Sequence, residues 1–373
     1  MKFRLFILIL LSLGCYKKHD EIEAIPVQEI HFKTTLKNHT PGVDYIINKN
    51  LLVSKELIIE EGVEIIVEEG CGIDVRDSGS IKINGSNQNH VIFKSKNDAG
   101  RWNGIQISSP LDNHFNFTEI SGAGLQGNNH AAVEITETGQ LSLYASKITD
   151  NGDASGLLIT ENAICNLEAC ELSGNKFPVQ MDLFAKLQFD ECHFNGNQHD
   201  MIRVRNNNGN ALLAYRPLSI IHYGLPYFFT SSLLLNTSKV SIEAGSTLLF
   251  EMGHGISTIA SMVSGTLLQV NGKNGAPVKF GSFHSGEFDR WRGISLYSGM
   301  HKIQYAVFEK AYTGGKTIGT LSLYAYSNID CKYSTFNAEA EFCNISIFGK
   351  YVVYNSDIKT RNTFKNLKLP CML

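Results

Sequence analysis

Three stretches of this chain superpose without gaps: LSLYASKITDN (141–151), CNLEACELSGN (165–175) and LQFDECHFNGN (187–197), at spacings of 24 and 22 residues. In each, the first, third, sixth and eighth positions are apolar or small, for example Leu141, Leu143, Ser146 and Ile148. Alternation with a period of two marks a strand with one buried face. The change of phase between the third and sixth positions predicts a bend between two short strands. An asparagine closes every copy (Asn151, Asn175, Asn197), and its tolerance of left-handed backbone predicts a sharp turn there. Short strands recurring at this interval, without helical periodicity, cannot bury an inward face alone. They bury it by stacking.

A longer repeat encloses the short one. LIIEEGVEIIVEEGCGI (57–73) aligns with VSIEAGSTLLFEMGHGI (240–256) at an offset of 183. NGSNQNHVIFKS (84–95) follows as NGKNGAPVKFGS (271–282), offset 187. RWNGI (101–105) then returns as RWRGI (290–294), offset 189, and LSLYA (141–145) as LSLYA (321–325), offset 180. The order of these landmarks is constant, so one module is present twice. The expectation is an all-β chain, a right-handed parallel β-helix (solenoid) built from two homologous modules, 43–216 and 217–373. At a strand spacing of about 4.8 Å it would run to roughly a dozen coils. Hydrophobic content of 43% against 18% charged residues agrees with a folded chain.

The N-terminus, MKFRLFILILLSLGC, carries Lys2 and Arg4, then an apolar run too short to cross a bilayer comfortably, then Gly14 and Cys15. It resembles the lipobox of bacterial lipoproteins, with Ser12 and Leu11 in place of the usual leucine three positions before the cysteine. The resemblance implies a signal peptide over 1–14, lipidation at Cys15, a tether over 15–42, and an exported chain anchored in the bacterial outer membrane or cell surface. Of 8 cysteines, one would be acylated, leaving an odd number with no Cys-x-x-Cys pair. That argues against a disulfide scaffold and against zinc. A formal net charge of −3, with no basic run, excludes a nucleic-acid footprint.

Each module opens on an aromatic stretch (VDYIINKNLLVSKELIIEEGV, 43–63; LPYFFTSSLLLNTSKVSIEAGS, 225–246) and continues through Gly-x-Gly-Ile, GSIKING or GTLLQVNG, Val-x-Phe-x-Ser and Trp-x-Gly-Ile. That succession resembles the right-handed parallel β-helix lipoproteins and surface proteins of Bacteroidetes and related bacteria, of the pectin-lyase-like fold. The resemblance implies the fold and leaves activity open.

Candidate chemistry concentrates where the modules differ. With the apolar positions inward, one outward row reads Tyr144, Glu168, Asp190 and a second Lys147, Glu171, His193. Carboxylates about 5 Å apart on adjacent coils suit calcium, or acid and base roles on a glycan. The following HDMIRVR adds His199, Asp200, Arg203 and Arg205. Glu168, Asp190, His193 and Arg203 are therefore the candidate catalytic set, and Glu168 and Asp190 the candidate metal ligands. Mixed charge that merely solvates a solenoid surface is the competing reading. Other features read more simply as structure. His254 in GHG matches Cys71 in GCG of the first module, and neither an Asp-Asp pair nor an Arg-x-Lys accompanies it. Cys170 and Cys192 occupy inward places equivalent to Ser146, as a small-residue stack. Trp102 and Trp291, the 2 tryptophans, are either sugar platforms or covers over the core where a loop ends. No cofactor is called for, calcium being the one ion those acids would suit. The expected partners are the membrane through the lipid, and a polysaccharide or surface protein. A non-catalytic envelope protein presenting a glycan- or protein-binding surface is the leading reading. A polysaccharide lyase or glycoside hydrolase on uronate-rich glycans is the alternative.

Overall fold

The computed structural model describes residues 24–372 apart from 28, 40–41, 98–99, 125–129, 206–209, 215–216, 237–238, 259–266, 287–288, 312–318, 338–342, 349–350 and 366–370, with backbone only for 210–214 and 371–372. The expected signal peptide and Cys15 lie outside the described residues. Among those described, no helix is long and apolar enough to cross a membrane.

The chain is all-β, and its strands stack in parallel as a solenoid. One 13-stranded sheet, the long sheet, runs from Leu51–Val53 to Thr363–Phe364. Beside its first half stand two 7-stranded sheets: sheet P, from Thr34–Leu36 to Lys186–Asp190, and sheet Q, from Ile25–Pro26 to Glu171–Ser173. Beside its second half stand sheet R, 7 strands from Asn210–Ala214 to Cys371–Met372, and sheet S, 6 strands from Leu218–Ile220 to Val353–Tyr354. Among the described residues, the long sheet is the one sheet that crosses the middle of the molecule. There Val179 pairs with Ile202, and Ile202 with Tyr227.

The two modules do not occupy equivalent faces. Glu56–Glu60 and Lys239–Glu243 are sequence equivalents in sheets P and S. Glu64–Val67 lies in sheet Q, but its equivalent Thr247–Phe250 lies in the long sheet. Gly72–Val75 lies in the long sheet, and its equivalent Ile256–Thr258 in sheet R. The second module is therefore turned by one face about the solenoid axis. The step from sheets P and Q to sheets R and S falls after Ile202–Arg205, where Asn210–Ala214 opens sheet R. At that step an apolar cavity of about 240 Å³ is lined by Leu187, Val204, Leu218, Ile220, Tyr223 and Tyr227 among others.

Strand order also corrects one landmark. LSLYA at 141–145 belongs to the fifth strand counted from the first Trp-x-Gly-Ile strand, whereas LSLYA at 321–325 belongs to the fourth counted from the second. The match is a coincidence of composition. The true counterpart of Gln140–Tyr144 is Ser327–Lys332, so IDCKYSTFN (329–337) carries the short repeat.

The short repeat folds as its periodicity requires, with one difference. Its bend is a single left-handed residue at the fifth position: Ala145 (φ 47°), Ala169 (φ 53°) and Glu191 (φ 49°) turn the chain from sheet P toward sheet Q. The closing asparagines are not left-handed turn residues. They point inward as a ladder, Asn151 Nδ2 donating to Asn175 Oδ1 (2.8 Å) and Asn175 Nδ2 to Asn197 Oδ1 (3.0 Å). Asn151 Oδ1 also accepts the Ala123 amide at 2.7 Å. A buried amide that supplies both donor and acceptor satisfies backbone groups freed where the strand ends.

Candidate functional site

The outward rows form as the register predicts. Tyr144 pairs with Glu168 and Glu168 with Asp190 on sheet P. Ser142, Asn166 and Gln188 run alongside as a second row, Ser142 pairing with Asn166 and Asn166 with Gln188. Together they line an open groove of about 530 Å³. Across the left-handed bend, Lys147 pairs with Glu171, and Glu171 bridges to His193.

The two rows differ in electrostatics. On sheet Q, Lys147 lies 3.7 Å from Glu119, which also meets His90 at 2.9 Å, so charge alternates and compensates. On sheet P, Glu168 and Asp190 stand on adjacent strands with no ion pair among the described residues. Among the described residues, Asp190 Oδ1 accepts the next amide alone, that of Glu191, at 3.0 Å. Among the described residues no group of three His, Cys, Asp or Glu side chains could hold a metal ion.

The four-residue catalytic set is not assembled on one face. Glu168 and Asp190 share the groove, and His193 lies beyond the bend. Arg203 sits in the long sheet, over the Phe177 ring (5.7 Å) and donating to Gln180 Oε1 (2.7 Å). Burial holds its guanidinium below the ordinary arginine range. Arg205 is committed to Asp182 at 3.1 Å, and Asp200 to the Asn197 amide at 2.9 Å. His199 packs on Phe177 and Phe283, and burial lowers its pKa.

The tryptophans resolve as structure. Trp102 and Trp291 are both 0% exposed, so the sugar-platform role for them is withdrawn. Trp102 Nε1 donates to Ser121 O at 2.9 Å and Trp291 Nε1 to Glu309 O at 2.7 Å, equivalent partners in the two modules. The glycine after next explains the rest of the phrase. Gly104 (φ 90°) and Gly293 (φ 83°) lie where a Cβ would meet the Ala132 and Thr320 carbonyl oxygens at 2.5 and 2.6 Å. His254 Nδ1 meets Ser232 Oγ at 3.2 Å, while the nearby Glu251 carboxylate faces His284 instead.

One polar groove escaped the sequence reading. Asp74, Gln106 and Glu134 stack in register on the outer face of the long sheet, and with Asn103 and His130 line a groove of about 330 Å³. Burial pushes the Glu134 carboxyl above its ordinary value, against hydrogen bonding from the Ala131 amide and the charge of His130. The three belong to strands GIDV, GIQI and AAVEI, whose similarity could have placed them together.

No family model matches the chain, and no curated protein does. Among solved structures, a similar chain is the TibC-catalysed hyper-glycosylated TibA fragment, at 11% identity, covering 91% of this chain and 100% of that one with a TM-score of 0.22. At that score the likeness carries no argument.

Proposed function

We propose that this chain is an exported, non-catalytic envelope protein, anchored by lipid at Cys15, whose β-helix presents a binding surface. Of the two ligand classes, glycan and protein, a glycan is the better fit to the groove on sheet P. The observation that carries this reading is the groove itself: a row of hydroxyl and amide groups (Ser142, Asn166, Gln188) beside Tyr144 and two uncompensated carboxylates. Amides and carboxylates are bidentate partners for sugar hydroxyls, and a tyrosine ring covers a sugar face. Two adjacent carboxylates repel a uronate, so the ligand is neutral or carries amino groups, unless calcium bridges it. The alternative, a lyase or hydrolase on uronate-rich glycans, would need Arg203 beside the acids, and Arg203 belongs to another sheet.

Glycan-array screening followed by calorimetry, with calcium and with chelator, tests the reading. The double variant Glu168→Gln/Asp190→Asn should lose at least about 2 kcal/mol of binding, the scale of charge-assisted hydrogen bonds. Unchanged affinity in that variant, or no glycan bound by the parent, would sink it.

A further inference from the structure

Cys170 and Cys192 hold equivalent inward places on adjacent coils, Cys170 just before strand Glu171–Ser173 and Cys192 just before the bridging residue His193. The Cys170 amide donates to Cys192 Sγ at 3.4 Å, as the Thr118 amide donates to Ser146 Oγ at 3.1 Å. Both thiols are free. Stacked positions on neighbouring parallel strands lie about 4.8 Å apart, inside the Cα separation that disulfides span. We propose that Cys170 and Cys192 are a modification site: they are oxidised by a small disulfide to an inter-coil cross-link that staples the last coil of the first module.

The two thiols are unequal in a way that orders the reaction. Cys170 is 1% exposed, whereas Cys192 is only half-buried because sheets P and Q end there. Hydrogen bonding from Cys170 holds the Cys192 thiol below its ordinary value, and the contact with Cys192, together with burial, raises Cys170. Cys192 is therefore the attacking thiolate and Cys170 the resolving thiol. Cys192 Sγ attacks one sulfur of the small disulfide, whose S–S bond breaks and expels a thiolate. Cys170 gives its proton to that thiolate and attacks Cys192 Sγ, and the second small thiol leaves. Two protein thiols are oxidised and one small disulfide is reduced to two thiols. Cys165, 0% exposed in the strand before, has no route to the oxidant and stays reduced.

The full chain is incubated folded with oxidised glutathione, quenched with acid, alkylated and mapped by peptide mass spectrometry. The expected product is a peptide linked through Cys170 and Cys192, with Cys165 alkylated and maleimide labelling of Cys192 reduced to background. The Cys170→Ser variant keeps the ladder acceptor that Ser146 supplies one coil earlier, and should instead accumulate a stable mixed glutathione disulfide at Cys192. A mixed disulfide that persists in the parent, a link through Cys165, or no reaction at Cys192 would overturn the proposal.

Discussion

His301 shows how a single buried side chain makes stability depend on pH. It is 4% exposed; its Nδ1 accepts the Leu268 amide at 3.2 Å, and its Nε2 meets Ser298 O at 2.8 Å. The neutral ring fits that environment, and burial pushes its pKa down to about 4, against the Ser298 hydrogen bond. In the unfolded chain the ring takes up its proton near pH 6.5, about as model peptides do. Between those values the unfolded state binds more protons, so stability is full above about pH 6.5 and falls as pH drops toward 4. The total loss expected is about 3 kcal/mol, at about 1.4 kcal/mol per pH unit. The first module places Asn113 at the equivalent position, where Oδ1 accepts the Ile81 amide at 2.9 Å. His301→Asn should therefore keep the ladder bond and flatten the acid slope, as read from urea unfolding between pH 4 and 7. An unchanged slope would assign the acid sensitivity elsewhere. None of this was legible in the sequence, because a histidine followed by a lysine reads as a surface residue until the turn beside it is known.

The strand–bend–strand element was legible to a large degree. Period-two alternation placed Leu141, Leu143, Leu167 and Leu187 inward, and a phase change placed the bend. What alternation could not tell was which residue turns the corner. Three non-glycine residues, Ala145, Ala169 and Glu191, take the left-handed conformation at a cost of about 1–2 kcal/mol each. The asparagines, expected to do so, instead join amides across coils. A polar side chain at a strand end suits either role, and only its neighbours in adjacent coils decide. Asn175→Ala would leave Asn151 Nδ2 and the Ile148 carbonyl without their partner, and Asn197 Oδ1 with only the residue 175 amide. A loss of about 1–3 kcal/mol is expected in chemical unfolding. Little or no loss would mean that the ladder is replaced by solvent. The groove belongs to this scale too. Its rows were readable because register follows from the repeat, whereas the separation of Arg203 from the acids was not, since sheet membership depends on the course of the whole coil.

Across the whole molecule, duplication was readable and its geometry was not. Offsets in sequence count residues, and a turn of one face leaves landmark order undisturbed. Its consequence is that equivalent residues of the two modules face different directions, so a surface feature of one module is not prolonged by the other. Trp102 and Trp291 hold the same local place on different edges of the solenoid. The polar groove on sheet P ends with that sheet, at Lys186–Asp190. Among the described residues the long sheet is the one sheet shared by both halves, through Ile202–Arg205 and its pairing with Tyr227–Phe229, and Tyr223 packing on Phe189 adds to the join. Amide hydrogen exchange resolved to short peptides tests this continuity directly. The account predicts that 202–205 and 227–229 are protected to the same degree as the flanking long-sheet strands 179–182 and 247–250. Rapid exchange across 202–229, with slow exchange on either side, would show two separate solenoids and contradict it.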